Sequence, residues 1–592
     1  MFKITLLIGL FIVALLSSSA AAGSDADERF EKLADGFADA YPGLGPVGAT
    51  QLGDHRFDDR LDEVSAAARE REAAFYRQYL NQLAAIDRSR LSRANQIDAE
   101  LLRHHLDSRL WELTDLEEWA WNPLVYTNLA GGAIYGLMAR EFAPLPQRLD
   151  SVAARLEQLP RLLEQARETL QPERVPQVHA ETAVRQNRGV LSILDNMVRP
   201  AMGSVTAGQR ETLEQAIDTA TNTIEIHQAW LEQQLLPNAK GDFRIGAELF
   251  DRKLAYALHT PMTREQVRER AQREFHHVRD EMYAVAQKVY TEAYPYTDLP
   301  ESPDDNYRQA VIRAALEVAY RQLPARDEIV DTARQQLDRA TSFVREQGLV
   351  TVPDDPVEII VMPEFQRGVS VAYCDSPGAL DVGQKTFYAV APMPKEWTDE
   401  QVRTFLREYN VFSLEDLTMH EAMPGHYLQL AHSNRYPSTL RAMLASGPFI
   451  EGWAVYAERL MVDAGYRDSD PLQRLIMLKW YLRAVTNSIL DQAIHVDGMS
   501  RDEAMRLMVE GAFQEEREAA LKWVRAQLTS SQLSTYFVGY QEHADLRAEF
   551  ESRAGDDFDL KAYHDRLLSF GSPPVQFVRA LLLDQSIPRD GE

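Results

Sequence analysis

Most of this chain repeats apolar residues at spacings of three and four, and that period commits it to helices. LDEVSAAAREREAAFYRQYLNQLAAI, RLDSVAARLEQLPRLLEQARETL and GQRETLEQAIDTATNTIEIHQAWLEQQL each keep an apolar face with charges between. Breakers part them at NPLVYTNLAGGAIYG (122–136) and VRPAMGS (198–204). After Pro237 and Gly241 the period resumes in TREQVRERAQREFHHVRDEMYAVAQKVY. There Thr263, with Gln266 three residues on, has the form of a helix-capping box. Nothing recurs at a longer fixed period, which argues against a solenoid.

Residues 350–395 change character. VEIIVMP, GVSVAYC and KTFYAVAP are rich in Val, Ile, Tyr and Phe, and predict short strands of an antiparallel sheet. Helical patterns return at Thr398 and run to the end. The expected fold is therefore mainly α, a large helical body with a small antiparallel β patch. A chain of 592 residues exceeds one compact core. An N-terminal helical region (23–240) and a catalytic region (241–592) are expected. Cys374 is the single cysteine, so no internal disulfide is available and its expected role is that of a small buried apolar residue.

The net charge of −27 argues against nucleic acid, which needs a basic footprint, and against docking on an anionic membrane. At the N-terminus, Lys3 precedes an apolar run from Ile4 to Leu16 and then SSSAAAG. This predicts a signal peptide over 1–22, cleaved before Gly23. The run of 13 residues falls short of the roughly 20 that a membrane helix needs. No cysteine stands by the cleavage site, so no lipid anchor is expected. The expectation is an exported protein, periplasmic or extracellular, without stable membrane association after cleavage.

SLEDLTMHEAMPGHYLQLAH (413–432) carries the chemistry. Imidazole and carboxylate are zinc ligands, and a neighbouring carboxylate can take the proton of an attacking water. His420 and Glu421 are adjacent, and His426 follows six residues after His420. Six residues turn a regular helix through about 600°, which leaves the two histidines apart. Pro424 and Gly425 lie between them, and a break there would return both to one point. A third ligand is needed, and PFIEGWAVYAERL offers Glu451, with Glu458 seven residues on and on the same face. Glu451 is preferred because its connection is long enough for a helix to return beside the first. Glu458 is the reserve, or a group that orients a histidine.

HEAMPGHYLQ followed by EGWAVYAE resembles the bacterial family DUF885, whose pattern is HEAxPGHxLQ and then EGWALYAE. LDQAIHVDGMS (490–500) and SQLSTYFVG (531–539) are similar to that family's VDTGLHTKGWT and GQALSYKIG. Met499 stands where the family has Trp, and Ser530-Ser531 where it has Pro-Gly. The family in turn resembles gluzincin-type peptidases of the thimet oligopeptidase and Taq carboxypeptidase kind, mainly helical with a deep cleft. The resemblance implies a zinc ion on His420, His426 and Glu451, with Glu421 as general base. It implies that Tyr536 or His495 donates a hydrogen bond to the oxyanion.

The function expected is hydrolysis of short peptides by a metal-activated water. An amidohydrolase acting on a non-peptide or cell-wall amide is the alternative, and a non-catalytic peptide-binding protein is the reading from another class.

Overall fold

The computed structural model describes residues 25–296, 300–355, 357–362, 372–381, 383–393 and 397–589. The signal peptide expected over 1–22 lies outside these, as do residues 368–371 of the second expected strand. Of the described residues 74% are helical, against about a third for ordinary globular proteins, so the fold class is mainly α.

In the N-terminal region, α1 (Leu145–Thr169) packs along α2 (Ala207–Trp230). Leu149, Leu156, Leu159 and Leu163 of α1 share a buried cluster with Leu213, Ile217 and Ile224 of α2. The spacing of these residues is the period read in the sequence. The long helix α3 (Arg264–Ala293) follows further along the chain. Its capping box is formed as expected: the Thr263 side chain accepts from the Gln266 N–H, and the Gln266 side chain accepts from the Thr263 N–H.

The strands are β1 (Val357–Val361), β2 (Ala372–Asp375) and β3 (Thr386–Val390), in the order β1-β3-β2. The antiparallel expectation holds for β2 on β3 and fails for β1, which runs parallel to β3. Alternation of residue types says nothing about strand direction. The chain between β1 and β3 contains β2 and is long enough for the crossover that a parallel pair needs. This order leaves β2 at an edge of the sheet, where it meets the helix α4 (Val411–Glu421).

The remaining elements that build the site are α5 (His426–Ser433), α6 (Gly447–Asp463), α7 (Pro471–His495), α8 (Glu516–Leu528) and α9 (Thr535–Ala554). The helix α6 packs along α9, and α3 along α7. The largest buried cluster runs from Phe250 to Val578 and includes Phe412, Met419, Phe449 and Trp453. Smaller clusters fasten the N-terminal helices to it, among them Ile97 and Leu101 with Phe577 and Ile587. A buried ion pair, Arg441 to Asp98 at 2.6 Å, adds to that seam. Among the described residues no helix is long and apolar enough to cross a membrane.

Candidate metal centre

The break read between the histidines is present. Asn410 caps α4 by accepting the Phe412 and Ser413 N–H groups at 3.1 and 3.2 Å. Every residue from Phe412 to Met419 is then buried, so α4 runs through the core and delivers His420 and Glu421 at its end. The helix stops at Glu421, the Met423–Pro424 peptide is cis, and α5 begins at His426. Gly425 lies so close to the end of α4 that a Cβ there would sit 1.8 Å from the His420 carbonyl oxygen. Trp453 holds the turn by donating from Nε1 to the Pro424 carbonyl at 2.9 Å. The two imidazoles consequently stand together, ring centroids 4.7 Å apart and planes at 84°.

The third element is α6, capped by Ser446, which accepts the Phe449 N–H at 3.3 Å. Its first turns carry Glu451, whose Oε2 lies 3.4 Å from His426 Nε2 and 3.7 Å from His420 Nε2. All three ligand atoms fall within 4.8 Å of one another. A tetrahedral zinc with bonds of about 2.0–2.1 Å sets its ligand atoms about 3.3 Å apart, so the spacing fits that ion. Glu451 Oε2 is buried and meets no hydrogen-bond donor among the described residues, which a cation at this point would remedy. Glu458 sits on the other side of His420 and accepts from Nδ1 at 2.5 Å. That contact fixes the proton on Nδ1 and leaves the Nε2 lone pair facing Glu451 and His426.

The charges of these groups act strongly on one another. Burial would lower the His420 pKa, but the carboxylates of Glu451 and Glu458 beside it outweigh burial and hold it well above the usual value. Burial would raise Glu451, and the two histidines instead hold it well below the usual carboxylate range. Asp416, one turn before His420, is fully buried, and neither of its oxygens meets a donor among the described residues. Burial and the neighbouring Glu458 push its pKa well up. Three carboxyl groups, Glu451, Glu458 and Asp416, thus gather around two imidazoles, a grouping that a buried cation balances.

Glu421 is steadied by the sheet. Its Oε2 accepts the backbone N–H of Cys374, on the edge strand β2, at 2.9 Å. The thiol of Cys374 is not activated: burial pushes its pKa up to about 12. This residue serves the site through its backbone, and sequence reasoning missed it.

The other two candidates lie on α9 and α7. Tyr536 opens α9 one turn before Gly539, which packs against Gly452, the residue after Glu451; a Cβ on Gly452 would lie 2.2 Å from the Gly539 carbonyl carbon. Its hydroxyl oxygen accepts from Arg525 at 3.3 Å and Gln532 at 3.5 Å, so its own proton is left to donate. His495 is not brought to the site. It ends α7, is 2% exposed, and turns Nε2 to the Ala526 and Thr529 carbonyls at 2.8 and 2.7 Å. Its ring stacks on Phe250. With that donor occupied by backbone, its role is packing of α7 against α8.

A solved structure from Shewanella oneidensis, described as a putative lipoprotein of unknown function, is 34% identical over 94% of this chain and 99% of its own, with a TM-score of 0.80. A second, from Colwellia psychrerythraea and described in the same terms as a lipoprotein, is 18% identical with the same coverage and a TM-score of 0.77, and it shares the fold. No curated protein matches the chain. The profile of the family described as bacterial protein of unknown function (DUF885) matches residues 46–582, and the chain belongs to that family.

Proposed function

We propose that this protein is an exported zinc-dependent hydrolase that cleaves peptide bonds of short peptides. The observation that carries the reading is the convergence of His420 Nε2, His426 Nε2 and Glu451 Oε2 within 4.8 Å, with Glu451 Oε2 buried and otherwise without a partner. These three residues hold the ion, and Glu458 orients His420 behind it. A zinc ion there supplies a Lewis acid that lowers the pKa of a water and polarises a carbonyl. Glu421, steadied by the Cys374 N–H, takes the proton released when that water attacks, and passes it to the leaving amine. Tyr536 donates to the oxyanion as it forms. Export is supported by the apolar run Ile4–Leu16 and by the description of two structural relatives as lipoproteins.

The test is metal content. The purified mature protein is expected to hold about one zinc per chain by mass spectrometry, and His426→Ala to hold almost none, since it removes one of three protein ligands. A well-folded wild type that takes up no zinc when supplied with it ends the reading. Glu458→Gln has a smaller expected effect. It keeps a hydrogen-bond acceptor for His420 Nδ1 and removes the charge, so zinc affinity should fall by about 10- to 100-fold in a chelator competition. An unchanged affinity would mean that Glu458 does not tune the ligand.

A further inference from the structure

Three segments that carry groups of the metal centre run on into one cavity of about 120 Å³. The first is β2. Ser376, two residues after Cys374, lines the cavity, and its hydroxyl lies 3.5 Å from the Cys374 thiol. Cys374 is the residue whose N–H holds Glu421. The second segment is α5, which His426 opens. Leu430 and Ser433 line the cavity, four and seven residues on, spacings that return a helix to the same face. The third is α6. Its cap, Ser446, donates its N–H to the carbonyl of Ser572 in the cavity wall at 2.8 Å, and Ala445 just before it also lines the cavity. Glu451 follows five residues after the cap. Helix rises about 1.5 Å per residue and strand about 3.3 Å. Counted along the three segments, the wall stands roughly 6–9 Å from Cys374, His426 and Glu451.

The wall offers a ligand no free charge. Among the described residues that line it, Arg441 is the one charged side chain, and it is buried. Its Nε donates to Asp98 at 2.6 Å, its Nη1 to the Phe570 carbonyl at 2.9 Å and its Nη2 to the Ala94 carbonyl at 3.2 Å. The Tyr436 ring covers the guanidinium at 4.1 Å. The Ser433 and Ser572 hydroxyls accept from Gln429 Nε2 at 2.7 and 2.8 Å. Pro377, Ala379, Leu430, Ala442 and Ala445 make the rest of the wall largely apolar. A charged side chain entering here would lose water and gain no partner. Size narrows the choice further. A cavity of about 150 Å³ holds one benzene. This smaller one takes a side chain of three or four aliphatic carbons and excludes a benzyl group or an indole.

We propose that this cavity is a specificity pocket that receives one aliphatic side chain of the substrate, the size of Val or Leu, close to the cleaved bond. This deepens the hydrolase reading and rests on it. An extended peptide spans about 3.3–3.6 Å per residue, so the selected residue lies within about two or three residues of that bond. Leu430 and Ala442 set the width of the pocket, and neither belongs to the metal centre.

The test separates selection from catalysis. Glu421→Gln protein supplied with zinc is titrated by calorimetry with alanine hexapeptides that carry one Gly, Leu, Asp or Phe at each position in turn. At the position that meets the pocket, Leu should bind about 10- to 100-fold more tightly than Gly, and Asp and Phe no better than Gly. Adding Leu430→Ala widens the pocket and should admit Phe. Adding Ala442→Leu narrows it and should move the preference from Leu to Ala. Opposite shifts do not arise from a general loss of structure, and if one variant fails to fold the other decides. Equal binding of the four peptides, binding of none, a preference for Asp or Phe, or a Leu preference that the folded variants leave unmoved overturns the pocket. Wild-type protein is assayed for hydrolysis of the same peptides in parallel. Hydrolysis with no side-chain preference overturns the pocket and keeps the hydrolase. A Leu preference in binding that the variants shift, together with no hydrolysis, supports the pocket and overturns the hydrolase.

Discussion

Glu421→Gln should lower kcat by about a thousandfold or more while leaving zinc at about one per chain. The side chains are nearly the same shape, and the glutamine oxygen still accepts the Cys374 N–H that now holds Glu421 at 2.9 Å. What is lost is basicity, since an amide takes no proton at neutral pH. The converging set of His420, His426 and Glu451 is untouched, so the ion should stay. The loss should fall on kcat more than on KM, because the proton moves only as the transition state forms. Each departure has a distinct meaning. Retained turnover would place the base elsewhere. Loss of zinc would make Glu421 a ligand. Unchanged peptide capture by a wild type that never turns over would leave a binding protein.

The parts of this site that the sequence made legible are those governed by local rules. Two histidines six apart cannot share a point on one helix, and Pro424-Gly425 named the place of the break. The helix does end at Glu421 and restart at His426. The capping box at Thr263 is equally local and formed as read. Glu451 and Glu458 were harder, because seven residues return a helix to one face and the period cannot rank them. Only the position of α6 against α4 sets Glu451 beside both Nε2 atoms and Glu458 on Nδ1. The N–H of Cys374 was beyond reach: it is a backbone group, 47 residues from Glu421, placed by sheet order. Sheet direction failed for the same reason, since pairing of β1 with β3 is a long-range event. His495 misled because a histidine that bonds backbone carbonyls looks, in sequence, like one that faces a cleft.

Gly425→Ala should abolish the site with a single methyl group. The turn demands space at Gly425. A Cβ would lie 1.8 Å from the His420 carbonyl oxygen and 2.4 Å from that of Met419, while real Cβ atoms essentially never approach within 3.0 Å. Both obstacles are backbone at the buried end of α4, so no rotamer change relieves them. The turn must open by more than about 1 Å, whereas zinc ligand distances tolerate about 0.2 Å. His426 starts the helix that follows and would be carried away from His420. The overlap should cost more than about 3 kcal/mol, near the top of the range for single substitutions. Several separate clusters hold the rest of the fold, so helix content should survive. Zinc should fall to less than about a tenth of the wild-type content and kcat/KM by more than about a hundredfold, the scale of a 1 Å misplacement. Gly447→Ala is the control on the neighbouring helix, since a Cβ there meets nothing within 4 Å and the expected change is a few tenths of a kcal/mol. If Gly425→Ala bound zinc as tightly as Gly447→Ala, the two histidines would not depend on the tight turn between them, and the account of their convergence would be wrong.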